Sequence, residues 1–174
     1  MRKQLLILPF LLTACSTVTE PQGGPPAALI NAGGKAIGTV RAWQTAGGTT
    51  FRIDASGLPH GMHGVHVHAI GKCDPPDFAS AGPHWNPAGR KHGIHNPAGP
   101  HAGDLSNVEV AANGTLSATL TLPGAGGAGK SSINDVDGAA LVIHAAADDY
   151  VTDPSGNSGT RIACAVLQPV VLVR

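Results

Sequence analysis

Gly64-Val65-His66-Val67-His68 is the stretch from which the rest of the chain can be read. Side chains alternate between the two faces of a β-strand, so Val65 and Val67 point one way and His66 and His68 the other. The valine face suits a hydrophobic core. The two imidazoles, about 7 Å apart along a strand rising ~3.3 Å per residue, can converge on one cation above the outer face. Neutral imidazole suits copper and zinc, whereas calcium and magnesium take oxygen ligands. Taken alone, the pattern is also that of polar outer positions on a half-buried strand.

Working outward, similar short runs recur on both sides. Lys35 to Gln44 sets Ala36, Gly38, Val40 and Ala42 against Ile37, Thr39, Arg41 and Trp43. Thr49 to Ala55, Gly64 to Ile70, Asn107 to Ala112, Thr115 to Leu122, Ala139 to Ala145 and Arg161 to Leu167 follow, and Val170 to Val173 can close a last edge. Gly47-Gly48, Asn113-Gly114 and Asp137-Gly138 supply tight connections. No segment carries a 3.6-residue apolar period. The expectation is an all-β domain, a Greek-key β-barrel or sandwich of about eight antiparallel strands. With 174 residues there is material for one core, and with aromatics at 3 per cent that core must be mostly Val, Leu, Ile and Ala. The zero formal net charge gives no general attraction to nucleic acid. Two stretches, residues 71–105 and 145–160, are long, rich in Gly or Pro and without alternation, which is uncommon without a functional reason. The first carries His84, His92, His95, His101 and Asp104, so a metal is the expected ordering agent.

The N-terminus reads as an export signal. Arg2 and Lys3 precede an apolar run, Leu5 to Leu12, too short to span a bilayer, which needs ~20 residues. It ends in Leu12-Thr13-Ala14-Cys15, which resembles the site where bacterial lipoproteins are cleaved and the cysteine is acylated. The expected organisation is a signal peptide over 1–14, a lipidated Cys15 with a polar tether through residue 27, and one domain over 28–174. Loss of Arg2 and Lys3 leaves nine basic against eleven acidic residues in the mature chain. Acyl chains on Cys15 would anchor the domain to a membrane. Cys73 and Cys164 remain, one possible disulfide in an oxidising compartment or two buried free thiols.

The loop motifs carry a family resemblance. Gly64-Val65-His66-Val67-His68, Ser80-Ala81-Gly82-Pro83-His84-Trp85-Asn86-Pro87, Arg90-Lys91-His92-Gly93, His101-Ala102-Gly103-Asp104-Leu105, Leu141-Val142-Ile143-His144 running on to Asp148-Asp149, and Arg161-Ile162-Ala163-Cys164 resemble, in order, the signatures of copper,zinc superoxide dismutases. The resemblance spans roughly residue 28 to the end. It implies one copper held by His66, His68, His84 and His144, and one zinc held by His84, His92, His101 and Asp104. His84 would bridge the two ions. It further implies a Cys73–Cys164 disulfide, Arg161 as the active-site arginine, and Asp149 as the outer carboxylate bonded to His66 and His92. His63 corresponds to a framework histidine and faces the other side of its strand. His60 and His95 match no ligand and are expected on the surface.

The implied reaction converts two superoxide ions and two protons into oxygen and hydrogen peroxide. It needs an ion that cycles by one electron, which copper does and d¹⁰ zinc cannot. Zinc would order the long loop and acidify the shared imidazole of His84, which takes a proton on reduction and later passes it to peroxide. Arg161 offers a fixed cation to a small anion. The loop from Tyr150 to Thr160 contains Asp153 but no Lys or Arg, so attraction must rest on Arg161 with Lys72, Lys91 or Lys130 as further sources. A rival reading is a non-catalytic periplasmic copper- or zinc-binding protein of the same fold. Such relatives would lack a copper ligand or the arginine, and this chain has both His144 and Arg161. Gly124 to Ser131 fits the P-loop pattern by letter, but the turn-forming Ser132 to Gly138 that follows cannot open a phosphate-binding helix. The expected location is the periplasmic face of a bacterial membrane, with Ser16 rather than Asp after Cys15 pointing to the outer membrane by analogy with enteric bacteria. Monomer and homodimer both stay open.

Overall fold

The structure, a computed structural model, describes residues 24–124 and 132–168. The signal segment, Cys15, Lys130 and the C-terminal Val170 to Val173 lie outside the described residues, as does most of the P-loop look-alike. Nine strands are present among those described: β1 (Ala27–Asn31), β2 (Ala36–Thr45), β3 (Gly48–Ala55), β4 (Gly61–His63), β5 (Val65–His68), β6 (Val108–Val110), β7 (Leu116–Pro123), β8 (Ala140–His144) and β9 (Arg161–Val166). A short 3-10 turn at Ala79–Ala81 is the one helical element among them.

Seven strands form an antiparallel sheet in the order β5-β8-β9-β1-β2-β3-β7, and β4 pairs with β6 in a separate ribbon. The ribbon joins both ends of the large sheet. It runs into β5 through Gly64 and into β7 through the Asn113-Gly114 turn, where Gly114 N–H donates to Ala111 O. Inward residues of eight strands share one core: Leu29, Val40, Phe51, Ile53, Val65, Val67, Val108, Val110, Leu116, Leu122, Leu141, Ile143, Ala163 and Ala165. This is the expected Greek-key barrel, built mostly of Val, Leu, Ile and Ala, with Phe51 its one aromatic strand residue in the core.

Two elements differ from expectation. The segment read as one strand from Gly64 begins earlier, at Gly61, and breaks at Gly64, where the chain leaves β6 for β8. A Cβ at Gly64 would meet the Cβ atoms of Ser158 and Asp148 at 3.0 and 3.3 Å, so glycine lets the crossing strand pass under the second loop. The tether, expected through residue 27, ends sooner. Gly24 is buried and its N–H donates to Ala42 O, and Ala27 opens β1, which hydrogen-bonds β2 on one side and β9 on the other.

The 71–105 loop is docked in three ways. Along the free edge of β5, Val67 N–H donates to Gly103 O and Trp85 N–H donates to Val67 O, each at 2.8 Å. This pairing covers an edge that would otherwise be exposed. Trp85 and Leu105 plug the main core. Outside the barrel, Phe78 and Ala81 pack on Ala140, Val142 and Cys164, beside a disulfide that joins Cys73 to Cys164 across 91 residues.

Candidate metal centre

Strand parity places the first imidazoles. Register pairs Val65 with Ile143 and Val67 with Leu141, all facing the core, so His66 and His68 share the outer face with Val142 and Ala140. His144 continues the outward series of Ala140 and Val142. Arg161 would by simple alternation point inward with Ala163 and Ala165. A bulge between Ile143 and His144 absorbs Ile162 into the core side and pairs His144 directly with Arg161. Bulges commonly re-aim a side chain next to a functional site, and this one brings Arg161 out beside His144.

The long loop then lowers His84, His92, His101 and Asp104 onto the same face, and all the imidazoles become buried. Four of them are His66, His68, His84 and His144, whose nearest nitrogens lie within 4.8 Å of one another. A second group closes around Asp104. Its Oδ1 is 2.9 Å from His84 Nδ1 and 3.3 Å from His101 Nδ1, and its Oδ2 is 3.1 Å from His92 Nδ1. His84 Nδ1 and His101 Nδ1 face each other at 3.3 Å. Four ligands set tetrahedrally at zinc–nitrogen lengths would stand roughly 3.3 Å apart, so this spacing fits zinc.

Each ring's outer partner fixes which nitrogen keeps its lone pair. Asp148 accepts from Nε2–H of His66 at 2.8 Å and of His92 at 3.0 Å. His68 Nδ1–H donates to Gly82 O at 2.8 Å, and His144 Nδ1–H donates to Gly159 O at 3.2 Å. The buried ring nitrogens without a hydrogen-bond partner are the complementary ones: Nδ1 of His66 and His92, Nε2 of His68, His84 and His144. Buried polar atoms are rarely left unpaired, and five within one site match the demand of cations for lone pairs. The donor set therefore fits both ions.

One expected residue is corrected. Asp149 does not reach the histidines; it is exposed and its carboxylate accepts from the N–H groups of Val151 and Thr152, from Thr152 Oγ1 and from Asn157 Nδ2. Asp148 is the carboxylate that bonds His66 and His92. Gly156 makes room for it: a Cβ there would collide with Asp148 Oδ1 and lie 2.7 Å from His92 Nε2. No spacing rule separates two adjacent aspartates in an irregular loop, and nothing in the sequence marks Gly156 or Tyr150, whose N–H donates to Asp148 Oδ1 at 2.6 Å. His63 is buried, with its ring nitrogens facing His144 O at 2.7 Å and Pro59 O at 2.9 Å, and so braces the backbone of His144. His60 and His95 are exposed.

The electrostatics set His92 apart from the copper-side rings. Burial lowers His66 to about 4, His144 to about 3 and His68 to about 2, so these rings are neutral donors at ordinary pH. Burial also pushes His92 down, but the carboxylates of Asp104 and Asp148 on its two sides outweigh it and raise the ring to about 9. Burial would raise Asp104, yet its bonds to His84 and to the Gly93 N–H, with the adjacent His92 ring, hold it below the usual carboxylate range. The stability of the metal-free protein follows. Between pH 6.5 and 5 the unfolded chain protonates His66, His68 and His144 while the folded chain keeps them neutral. The unfolded state thus binds more protons, and stability falls as pH falls, by up to about 1.4 kcal/mol per pH unit for each ring. His92, charged in the folded chain throughout, offsets a small part of this near pH 6.5, where the unfolded ring is half deprotonated, and none of it below about pH 5.5. Thermal unfolding of chelator-treated protein at pH 6.5 and 5 checks this; equal midpoints would contradict it.

Arg161 Nη1 and Nη2 donate to the carbonyls of Phe78 and Gly82 at 2.6 and 2.7 Å, which fixes the guanidinium over a cleft lined also by His68, His84 and His144. Of the other expected cations, Lys91 Nζ pairs with Asp153 Oδ2 at 2.9 Å, and Lys72 is exposed beside the disulfide.

Comparison with known proteins agrees with this geometry. The family model for copper/zinc superoxide dismutase matches residues 36–167. "Superoxide dismutase [Cu-Zn] 1" of Aquifex aeolicus is 43% identical over 143 residues, covering 80% of this chain and 85% of the relative. The superoxide dismutase-like protein YojM of Bacillus subtilis is 43% identical over 143 residues, covering 80% of this chain and 73% of that one. Among solved structures, a proline-to-histidine mutant of a SOD-like protein from Bacillus subtilis superposes with a TM-score of 0.79 at 43% identity, covering 84% of this chain and all of the other. The Cu/Zn superoxide dismutase from Brucella abortus gives 0.66 at 26% identity, with 84% of this chain and 100% of that chain covered. An antiparallel barrel, a loop stapled to it by a disulfide and a buried imidazole cluster thus coincide with matches over most of the length, and the chain belongs to the copper/zinc superoxide dismutase family.

Proposed function

We propose that the chain dismutes superoxide to oxygen and hydrogen peroxide at a centre of one copper and one zinc. The observation that carries this is the set of buried, unpartnered ring nitrogens: Nδ1 of His66 and Nε2 of His68, His84 and His144 converge on one point, and the fifth, Nδ1 of His92, lies beside His84 and Asp104 at a second. Nδ1 of His66 and Nε2 of His68, His84 and His144 would hold copper. Nδ1 of His84, His92 and His101 with the Asp104 carboxylate would hold zinc. His66 also lies within range of the second point, but its one available nitrogen serves a single ion and His101 supplies the fourth zinc ligand. Copper, when bound, supplies the one-electron redox change of the reaction, and zinc fixes the loop.

The protein's own residues do the rest. His84 is the single ring with one nitrogen in each group, so its Nε2 is the atom at which a proton can be taken up and later given to peroxide. Asp148 keeps the His66 and His92 rings in the tautomer that ligation needs. Arg161, held by two carbonyls, presents its remaining N–H groups to a small anion in the cleft. Because Asp153 offsets Lys91, the attraction rests mainly on Arg161. The absences expected of the non-catalytic rival are not found: neither a copper-side histidine nor the arginine is missing.

The test is superoxide decay followed after loading the purified protein with copper and zinc. Arg161→Ala is expected to lower the rate roughly tenfold, the low end of what electrostatic attraction contributes. The wild-type rate should fall as salt rises, since the field is screened within ~8–10 Å. Decay at the spontaneous pace by the loaded wild type would overturn the function. A salt-independent rate would remove only the attraction. We also propose that Cys15 is acylated and tethers the domain to the periplasmic face of a membrane, the outer one by the nature of Ser16. Cys15→Ser chains that stay in the membrane fraction would refute the anchor.

A further inference from the structure

Asn107 stands immediately before β6, on the barrel, and touches none of the proposed ligands. Its side chain nevertheless grips the residue that orders them. Asn107 Nδ2 donates to Asp148 O at 2.9 Å, and Asn107 Oδ1 accepts from Asp148 N–H at 2.8 Å. The two ends of one amide thus satisfy both backbone groups of a residue 41 positions away, as a neighbouring strand would. Tyr150 closes the unit: Asn107 N–H donates to the Tyr150 phenol oxygen at 2.8 Å, and Tyr150 N–H donates to Asp148 Oδ1 at 2.6 Å.

The geometry downstream is demanding. One carboxylate must meet His66 Nε2 at 2.8 Å, on β5, and His92 Nε2 at 3.0 Å, in the long loop. A shift of about 1 Å would carry either contact beyond hydrogen-bond range. Asp148 itself lies in the loop between β8 and β9, with no strand partner of its own. Asparagine suits the task because its short side chain combines a donor and an acceptor in one plane. Aspartate has no donor for the Asp148 carbonyl, and alanine has neither group.

We infer that Asn107 is a positioning residue of the metal centre: its amide ties the Asp148 backbone to the barrel, so that one carboxylate stays bonded to His66 and His92 together. This rests on the reading that the two histidine groups hold ions. Its action passes through Asp148, which a double-mutant cycle can isolate.

The measurement is zinc affinity of the full-length protein, by competition with a chromophoric chelator, alongside the electron paramagnetic resonance spectrum of the copper-loaded form. Asp148→Ala is expected to weaken zinc binding about 10–100-fold, the usual cost of losing a ligand's hydrogen-bond partner, and Asn107→Ala about tenfold. In the Asp148→Ala background, Asn107→Ala is expected to change the affinity by less than about twofold. The copper spectrum should shift in the same direction in both single variants, because His66 loses its fixed orientation in each. If Asn107→Ala does not fold, Asn107→Asp keeps size and acceptor while setting an oxygen against the Asp148 carbonyl, and the same loss is expected of it. Unchanged affinity in the single variant, or losses that simply multiply in the double one, overturn the inference while the metal centre stands. A wild-type protein that takes up neither ion overturns the metal centre, and this inference with it.

Discussion

His84→Ala is expected to lower superoxide dismutation by well over about 100-fold, beyond the cost of losing a hydrogen-bond partner behind a ligand. His84 is the common member of the two groups: its Nε2 is buried without a partner, and its Nδ1 lies 2.9 Å from Asp104 Oδ1 and 3.3 Å from His101 Nδ1. Removing the ring takes one donor from each set and leaves three on either side. It also opens a void between His66 and His101, because the His84 ring centre stands 4.0 Å from that of His66 and 5.3 Å from that of His101. The same variant should lose zinc on dialysis against a chelator that leaves the wild type loaded. Metal content by mass spectrometry and superoxide decay, read on one sample, check both statements. A variant that keeps both ions and a tenth or more of the wild-type rate would contradict the shared role of His84. By comparison His101→Ala, which touches one group alone, should impair zinc retention more than the reaction.

Breaking the disulfide is expected to have the largest effect on stability. Cys73 and Cys164 have Cα atoms 5.7 Å apart and close a loop of 91 residues. In the chain-entropy picture a cross-link of that span stabilises the folded state by roughly 4 kcal/mol. For a domain of this size each 1 kcal/mol moves the midpoint about 2–4 °C, so the paired variant Cys73→Ser with Cys164→Ala should melt about 8–16 °C lower. The effect should spread to the site. Cys73 lies in the docked segment that also carries Phe78, and both Phe78 O and Gly82 O hold Arg161, while Gly82 O holds His68. A loosened segment therefore loses the acceptors that aim an imidazole and the guanidinium. The expectation is a reduced rate even at temperatures where the variant is folded. A change in midpoint of less than 2–3 °C, measured with metals bound and again without, would show that Phe78 and the edge pairing along β5 dock the loop unaided.

Much of this protein was legible in one dimension. The two-residue alternation of Val65, His66, Val67 and His68 set both the core face and the imidazole face. The runs now seen as β2, β3, β7, β8 and β9 stood out for the same reason, since side-chain direction in a strand is decided by the residue's own backbone. The histidine-bearing loop was recognisable because so long a stretch without alternation needs something to order it. Other features were fixed only by contacts between distant segments. β1 is a strand because β2 and β9 flank it, and Gly64 divides two strands because its neighbours pair with different partners. Arg161 faces outward because a bulge opposite His144 inverts the parity of Ala163 and Ala165. Asp148, not Asp149, meets the ligands, since Asn107 takes hold of its backbone while Asp149 is spent on its own turn with Thr152. Local sterics reach over a few residues and write themselves into the sequence pattern. The carboxylate that completes the site is positioned by hydrogen bonds spanning 41, 56 and 82 residues, a distance over which no local period survives.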